Sequence, residues 1–551
     1  MVKKQFNFKA VPFILVFSSQ ALYAQGVYGP AANDAKTKDF EIKIARTAEA
    51  LGVSLYEDFP VTRAAVPAPR AALVYGSPAL SAPMRAPELP KPEPGPAAAN
   101  DMPVGNKWGY LAVAYHTICA QLADSGFLPW ADAAPGFDEI SEKVLAAVKG
   151  SRYEARKAGS PSLLREEGFI NEMEALSGAK FRPGGAAEFL VNGPASFAAK
   201  DRLMKAAKKT IYVATYAIYD DVTGKETTEI LLAKKKEGVE IKFMTDDTMA
   251  FVFGAKNLKR MAAAGIDVVR YRETGRTHDY LHVKMLIVDG EYSIVGGLNY
   301  GDPYSHKNPN GLKWRDTDVL YTGPAVTDSV RAFAGLWNSQ VKEPARQVPA
   351  PREEAAGTGQ ARIAVTLQNP PTLAPAILLS VLKAIHGATE RINIENAYIV
   401  AIPAITRAIV EARERGVEVN VLTNSKESID SDGKSFADSI ILSVKAFSDA
   451  GANVYLKQGE TLHSKFMTVD GIFCSVGSYN FHPRGERYDT ELNVSILDPA
   501  SVAQIDAVFA RDIAEARKAD TKALSPKPGL LSRIMERYFF AQLRPNTVSG
   551  L

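Results

Sequence analysis

Cysteine is scarce: two in 551 residues, Cys119 and Cys474. That excludes a disulfide-built scaffold. Cys474 lies in an apolar, strand-like run, so the pair reads as two separate buried thiols rather than a bridge. No cluster of Cys and His has zinc-ligand spacing, so neither a metal nor another cofactor is expected. Long hydrophobic runs are missing too. The stretch "YLAVAYHTICAQLA" falls short of the roughly 20 apolar residues a membrane span takes, and it carries His116. Charge of one sign is equally thin, with 65 Lys and Arg against 62 Asp and Glu for a net +3. Bulk attraction to nucleic acid is therefore not announced, although local patches are not addressed by a total.

What is present is ordinary globular material, 46% hydrophobic and 23% charged, in a chain long enough for more than one domain. Lys3, Lys4 and Lys9 precede or open the apolar run "AVPFILVFSSQAL", and a small residue follows at Ala24. This is the pattern of a signal peptide over residues 1–24, with the protein exported to the periplasm or secreted. The alternative, an uncleaved anchor, has about a dozen apolar residues where a span takes roughly 20. Residues 25–58 read as a short helical segment, and the Pro- and Ala-rich 59–105 as an extended linker. Residues 106–185 read as a helical extension.

From there strands alternate with helices in two matching series, over 186–345 and 362–545, with a Pro- and Glu-rich joint at 346–361. The expected fold class is α/β: two pseudo-twofold-related domains, each a mixed, largely parallel sheet flanked by helices, behind an N-terminal helical and linker extension. Near the end of each series the chain repeats itself. "LHVKMLIVDGEYSIVGGLNY" starts at Leu281 and "LHSKFMTVDGIFCSVGSYNF" at Leu462. His282, Lys284, Asp289 and Asn299 recur as His463, Lys465, Asp470 and Asn480 at identical offsets. A single such pattern is weak, because surface strands often carry His and Lys. Two copies with the same spacing imply one shared site.

Residues two apart on a strand face the same side, so each His shares a surface with its Lys. If the halves pack about a pseudo-twofold, both pairs converge on one pocket. That pocket suits phosphodiester chemistry. One neutral imidazole attacks phosphorus, the other, protonated, serves the leaving oxygen, and two ammonium groups neutralise the non-bridging oxygens. Asn299, Asn480 and the backbone at Gly296, Gly297, Gly477 and Ser478 are candidate further donors.

The duplicated pattern resembles the phospholipase D superfamily, whose members carry two such motifs and form a phosphohistidine. The resemblance covers about Ala187 to Pro545. "ATYAIYDDVTG", "GGLNYGDPY", "WRDTDVLYTGPAV" and "GSYNFHPRGERYDTELN" are similar to the cardiolipin synthase branch. The last departs from it at His482 and Gly485, where Asp and Ser are usual, and at Asp489, where Asn is common. Those positions bear on the acceptor rather than on the phosphorus chemistry. The resemblance implies that Asp316 and Glu491 orient the imidazoles across the pseudo-twofold, that Asp289 and Asp470 each buttress their own half, and that His282 attacks while His463 protonates. It also implies a phospholipid substrate, phosphatidylglycerol, with peripheral membrane contact. The expected activity is cardiolipin synthase-like phosphatidyl transfer; the alternatives are hydrolysis to phosphatidic acid, a secreted nuclease using the same pocket, and lipid binding without turnover. His278 and His306 flank the first motif and read as pocket residues or satisfied loop histidines, Asp318 as pocket or surface. Arg484 and Arg487 read as a second phosphate site or a solvated loop. The basic, aromatic stretch Pro528–Pro545 reads as core cover or a membrane-surface helix.

Overall fold

A computed structural model describes residues 137–520 except 273–279, 352–353, 370–374, 401, 431–436 and 488, together with Leu524. The leader, the segment 25–58, the linker 59–105, Cys119, His278 and Pro528–Pro545 lie outside the described residues.

The first half contributes strands β1 (Arg182–Val191), β2 (Thr210–Thr215), β3 (Glu240–Asp246), β4 (Asp267–Tyr271), β5 (Lys284–Val288), β6 (Tyr292–Gly296) and β7 (Thr317–Thr322). The second contributes β8 (Ala361–Gln368), β9 (Arg391–Asn396), β10 (Glu418–Asn424), β11 (Asn453–Lys457), β12 (Lys465–Val469), β13 (Phe473–Gly477), β14 (Glu491–Leu497) and β15 (Arg517–Lys518). They hydrogen-bond in the order β15-β11-β10-β9-β12-β13-β14-β8-β1-β7-β6-β5-β2-β3-β4. Read outward from the β8–β1 joint, the two halves give the same order, so the duplication seen in the sequence is a duplication in space.

The sheet is mixed, as expected, but the expectation that it is largely parallel is corrected. Parallel pairing is confined to β2-β3-β4 and β9-β10-β11; every other pairing is antiparallel. The physical reason is the "VDG" in each motif. Asp289 and Gly290 have φ of 55° and 69°, and Asp470 and Gly471 have 53° and 64°. Two successive positive φ values turn the chain sharply within a three-residue loop, Val288 pairing with Tyr292 and Val469 with Phe473, so β5 returns as β6 and β12 as β13.

The helical extension is also shorter than expected, because Arg182–Val191 is a strand. Residues 182–185 close the expected extension, yet Gly185 is required by the close approach to β8: a Cβ there would lie 2.6 Å from the Ile363 side chain. The helices Phe137–Lys149 and Glu167–Ser177 pack Ile140, Val144 and Phe169 with Leu378, Leu382 and Ile385 of helix Ala376–Gly387, on the outer face of the second half. A central core joins the halves, drawing Met285, Val319 and Trp337 from one and Phe466, Val494 and Phe509 from the other. Cys474 is a free, buried thiol within it. Among the described residues no helix is long and apolar enough to cross a membrane.

Candidate active site

Strand alternation sorts the motif residues as the spacing predicts. Leu281, Val283, Met285 and Ile287 enter the central core, while Leu286 and Val288 face the outer core of the first half. His282 and Lys284 share the latter register. In the second motif Leu462 and Phe466 face the central core, and Met467 and Val469 the opposite one. His463 and Lys465 share that register.

Two crossed bridges then bring the motif starts together. Leu281 pairs with Thr490, just before β14, and Leu462 pairs with Arg315, just before β7. The His282 N–H donates to the Thr490 carbonyl at 2.9 Å, and the His463 N–H to the Arg315 carbonyl at 2.7 Å. The residue after each bridge is acidic. Glu491 therefore meets His282, its two carboxyl oxygens each 3.0 Å from Nδ1. Asp316 meets His463, Oδ2 to Nδ1 at 2.7 Å. Each half supplies the carboxylate for the other half's imidazole. With Nδ1 engaged, Nε2 is the reactive nitrogen of both rings.

The lysines stand beside their histidines. Lys284 Nζ donates to the His282 carbonyl at 2.6 Å, and Lys465 Nζ lies 3.0 Å from His463 Nδ1. All four side chains are buried. Burial, and then the two ammonium charges, hold His282 well below the usual imidazole range. Burial followed by Lys465 takes His463 to about 4. Burial also brings Lys284 down to about 7 and Lys465 to about 8. The carboxylates diverge. Burial works against ionisation of Asp316, but His463 and Lys465 overcome it and hold the acid below its ordinary value. Burial wins at Glu491 and pushes it up. So the surroundings favour the charged form of Asp316 beside His463 and disfavour that of Glu491 beside His282.

Aromatic rings wall the site. Tyr216 sits edge-on to His282, centroids 4.9 Å apart, with Lys284 Nζ 5.0 Å from its ring centre. Tyr304 and Trp314 pack on His463 at 5.2 and 5.5 Å, and Tyr398 at 6.1 Å. These rings were not singled out from sequence, although a signal existed: Tyr216 precedes His282 by 66 residues and Tyr398 precedes His463 by 65.

Other predicted residues fall elsewhere. Asp289 caps the backbone N–H groups of Lys208, Lys209 and Thr210 at 2.7–2.8 Å. Asp470 does the same for Thr389, Glu390 and Arg391 at 2.8–2.9 Å. Both sit at the hairpin ends of β5 and β12, away from the histidines, and hold the starts of β2 and β9. The Gly297 and Ser478 N–H groups are not pocket donors, because they bond the carbonyls of Thr317 and Leu492. Gly297 instead makes room: a Cβ there would lie 2.1 Å from Asp316 Oδ1. Ser478 Oγ donates to Glu491 Oε2 at 2.5 Å. Asn299 Oδ1 accepts from Ala217 N at 3.3 Å, whereas Asn480 Oδ1 is buried with no hydrogen-bond partner among the described residues. Asp318 is buried against Lys200 Nζ at 2.8 Å and Ser196 Oγ at 2.6 Å, so it is not a surface residue; it lines a small internal space with Lys284. His306 Nε2 is engaged by the Trp314 carbonyl at 2.9 Å. Arg484 pairs with Asp489 at 2.7 Å and lies over the Tyr280 ring at 4.3 Å; the Arg487 side chain lies outside what is described. His482 Nδ1 accepts the Gly485 N–H at 2.9 Å, doing the capping an Asp would do. A Cβ at residue 485 would come 2.6 Å from the Asn480 carbonyl oxygen, which accounts for glycine there.

The family described as "Cardiolipin synthase, PLD-like domain" matches residues 201–331 and 381–513, once over each motif. The chain belongs to the phospholipase D superfamily, on its cardiolipin synthase branch. It is 28% identical to cardiolipin synthase A of Pseudomonas syringae over 371 residues, 66% of this chain and 74% of that protein. Against cardiolipin synthase A of Pseudomonas aeruginosa it is 29% identical, covering 68% and 73%. Against the probable cardiolipin synthase YwiE of Bacillus subtilis it is 28% identical, covering 63% and 70%. Among solved structures, the Haemophilus influenzae phosphatidylserine synthase shares the fold, with a TM-score of 0.55 at 16% identity over 68% of this chain and 98% of that one. The protein is an enzyme of this superfamily.

Proposed function

We propose that the protein transfers a phosphatidyl group between glycerophospholipids in the manner of a cardiolipin synthase, with phosphatidylglycerol as donor. The observation that carries the reading is the crossed pair of His–carboxylate contacts with a lysine beside each ring. His282 Nε2 attacks phosphorus, the bond to the departing glycerol oxygen breaks, and imidazolium His463 gives that oxygen its proton. An acceptor hydroxyl then loses its proton to His463 and attacks the phosphorus, and the P–N bond to His282 breaks. This assignment of roles follows the carboxylates. Asp316, whose charged form is favoured, supports an imidazolium at His463, whereas burial disfavours the charged form of Glu491 beside His282. Burial, and then the ammonium charges, depress both imidazoles, and a bound diester offsets the second of these with one negative charge against Lys284 and Lys465. The phosphohistidine conserves the energy of the diester bond, so transfer needs no nucleotide.

Export through the 1–24 leader and contact with a membrane surface complete the proposal. Phe251 and Val222 are exposed at 53% and 41%. They lie on neighbouring segments, since the Asp220 N–H donates to the Phe253 carbonyl at 2.7 Å. Phe251 belongs to the helix Asp247–Phe253, which directly follows Asp246, an acceptor for the N–H of Leu281 beside His282. That rim suits insertion beside a lipid-facing mouth.

The test incubates the purified chain separately with phosphatidylglycerol, phosphatidylcholine and plasmid DNA. Cardiolipin appearing with glycerol is the expected result. Phosphatidic acid without cardiolipin would make the enzyme a hydrolase, and cut DNA with intact lipid would overturn the lipid reading. His282→Ala and His463→Ala should each abolish turnover.

A further inference from the structure

One charged cluster at the seam has no part in the chemistry above. Arg315 is 4% exposed, yet its side chain does not reach the pocket. Its guanidinium instead crosses into the second half. Nε lies 3.1 and 3.0 Å from the Asp512 carboxylate oxygens, Nη2 2.6 Å from Oδ2, and Nη2 3.3 Å from Glu395 Oε1. Nη1 turns back to donate to the Asp316 carbonyl at 2.7 Å and the Thr317 hydroxyl at 2.8 Å. The Arg315 main chain is fixed as well, its N–H to the Thr461 carbonyl and its carbonyl to the His463 N–H. The main chain on both sides of Asp316 is thus tied down through Arg315. The equivalent place in the other bridge is Thr490, which carries no charge to do this.

We propose that Arg315 is the positioning residue for the Asp316–His463 pair, anchored in the second half by Asp512 and Glu395. The two carboxyl groups compete for one guanidinium, with Glu395 wholly buried on β9. Burial first, and then Asp512, push the Glu395 acid above its ordinary range. The two catalytic histidines are therefore held differently: His282 by main chain and the Ser478 hydroxyl acting on Glu491, His463 by a side-chain lock.

The experiment separates positioning from plain stability. Arg315→Met should lower kcat by about 100-fold with KM little changed, as a misplacement on the order of 1 Å does. Removing the cation alone strands buried acid, so the companion is the apolar triple variant Arg315→Met, Glu395→Leu, Asp512→Leu, which should regain thermal stability. The proposal expects kcat to stay low in that refolded triple variant; wild-type kcat there would overturn it. Arg315→Lys keeps the charge without the fork and should show the same kcat loss with thermal stability closer to that of the unsubstituted chain than in Arg315→Met. In an Asp316→Asn background Arg315→Met should cost little more, whereas an undiminished factor would show that Arg315 does not act through Asp316. The assay rests on the proposed lipid turnover. A readout without substrate is the low-field proton of the Asp316–His463 hydrogen bond in the NMR spectrum, which should vanish in Arg315→Met even if the proposed reaction is wrong.

Discussion

Lys284→Met should inactivate the enzyme and make it more stable near pH 7. In the folded chain Lys284 titrates at about 7, against its ordinary 10.5, chiefly because it is buried. Between those values the unfolded chain binds more protons than the folded one, so this lysine makes stability rise with pH across that window. At pH 7 the penalty is about 4 kcal/mol, from roughly 3.5 pK units less the fraction already deprotonated. The substitution also loses the 2.6 Å hydrogen bond to the His282 carbonyl, worth about 1 kcal/mol. A net gain of about 3 kcal/mol remains. For a folded region of this size the unfolding entropy is on the order of 0.8 kcal/mol/K, so Tm should rise about 4 °C. The assay is thermal unfolding of both proteins at several pH values between 7 and 10.5. The gain should shrink as pH rises and reverse by about 1 kcal/mol near pH 10.5, where only the lost hydrogen bond is left. An unchanged or lowered Tm at pH 7, or a difference that does not vary with pH, would refute the reasoning.

Asp289→Ala and Asp470→Ala should each destabilise by about 3 kcal/mol, since three backbone N–H groups lose their acceptor; denaturant unfolding measures this, and activity per folded molecule should hold. Asp316→Asn should lower kcat by at least about tenfold and move the alkaline limb of its pH profile to lower pH, because the anion that supports imidazolium His463 is gone. Phe251→Ser should weaken binding to phosphatidylglycerol vesicles roughly tenfold in a sedimentation assay, while turnover of a short-chain soluble substrate is unchanged.

The two motifs made much of the site legible, because strand alternation converts His-x-Lys spacing into a shared surface without tertiary information. The crossed carboxylates were reachable only through the family resemblance. Asp316 lies 34 residues beyond His282 and contacts the other histidine, and no local periodicity encodes a partner across a seam. Local reading failed where tertiary contact overrides composition. "RPGGAAEFLV" opens inside the expected helical extension and is β1, since its glycines serve close backbone approach to β8. The sheet was read as more parallel than it is because the Asp-Gly hairpin turns were taken as part of the chemical motif. Arg315 gave no signal at all, as its partners Glu395 and Asp512 are 80 and 197 residues further on.

The joint between β1 and β8 also limits how the molecule can move. These strands run antiparallel at the centre of one continuous sheet, and the core beneath them takes residues from both halves. A clamshell opening would tear main-chain hydrogen bonds and expose that core, so the halves have no hinge between them. In the proposed reaction, leaving alcohol and incoming acceptor would then use one fixed opening in turn, and selectivity between water and alcohol would rest with the residues at its rim.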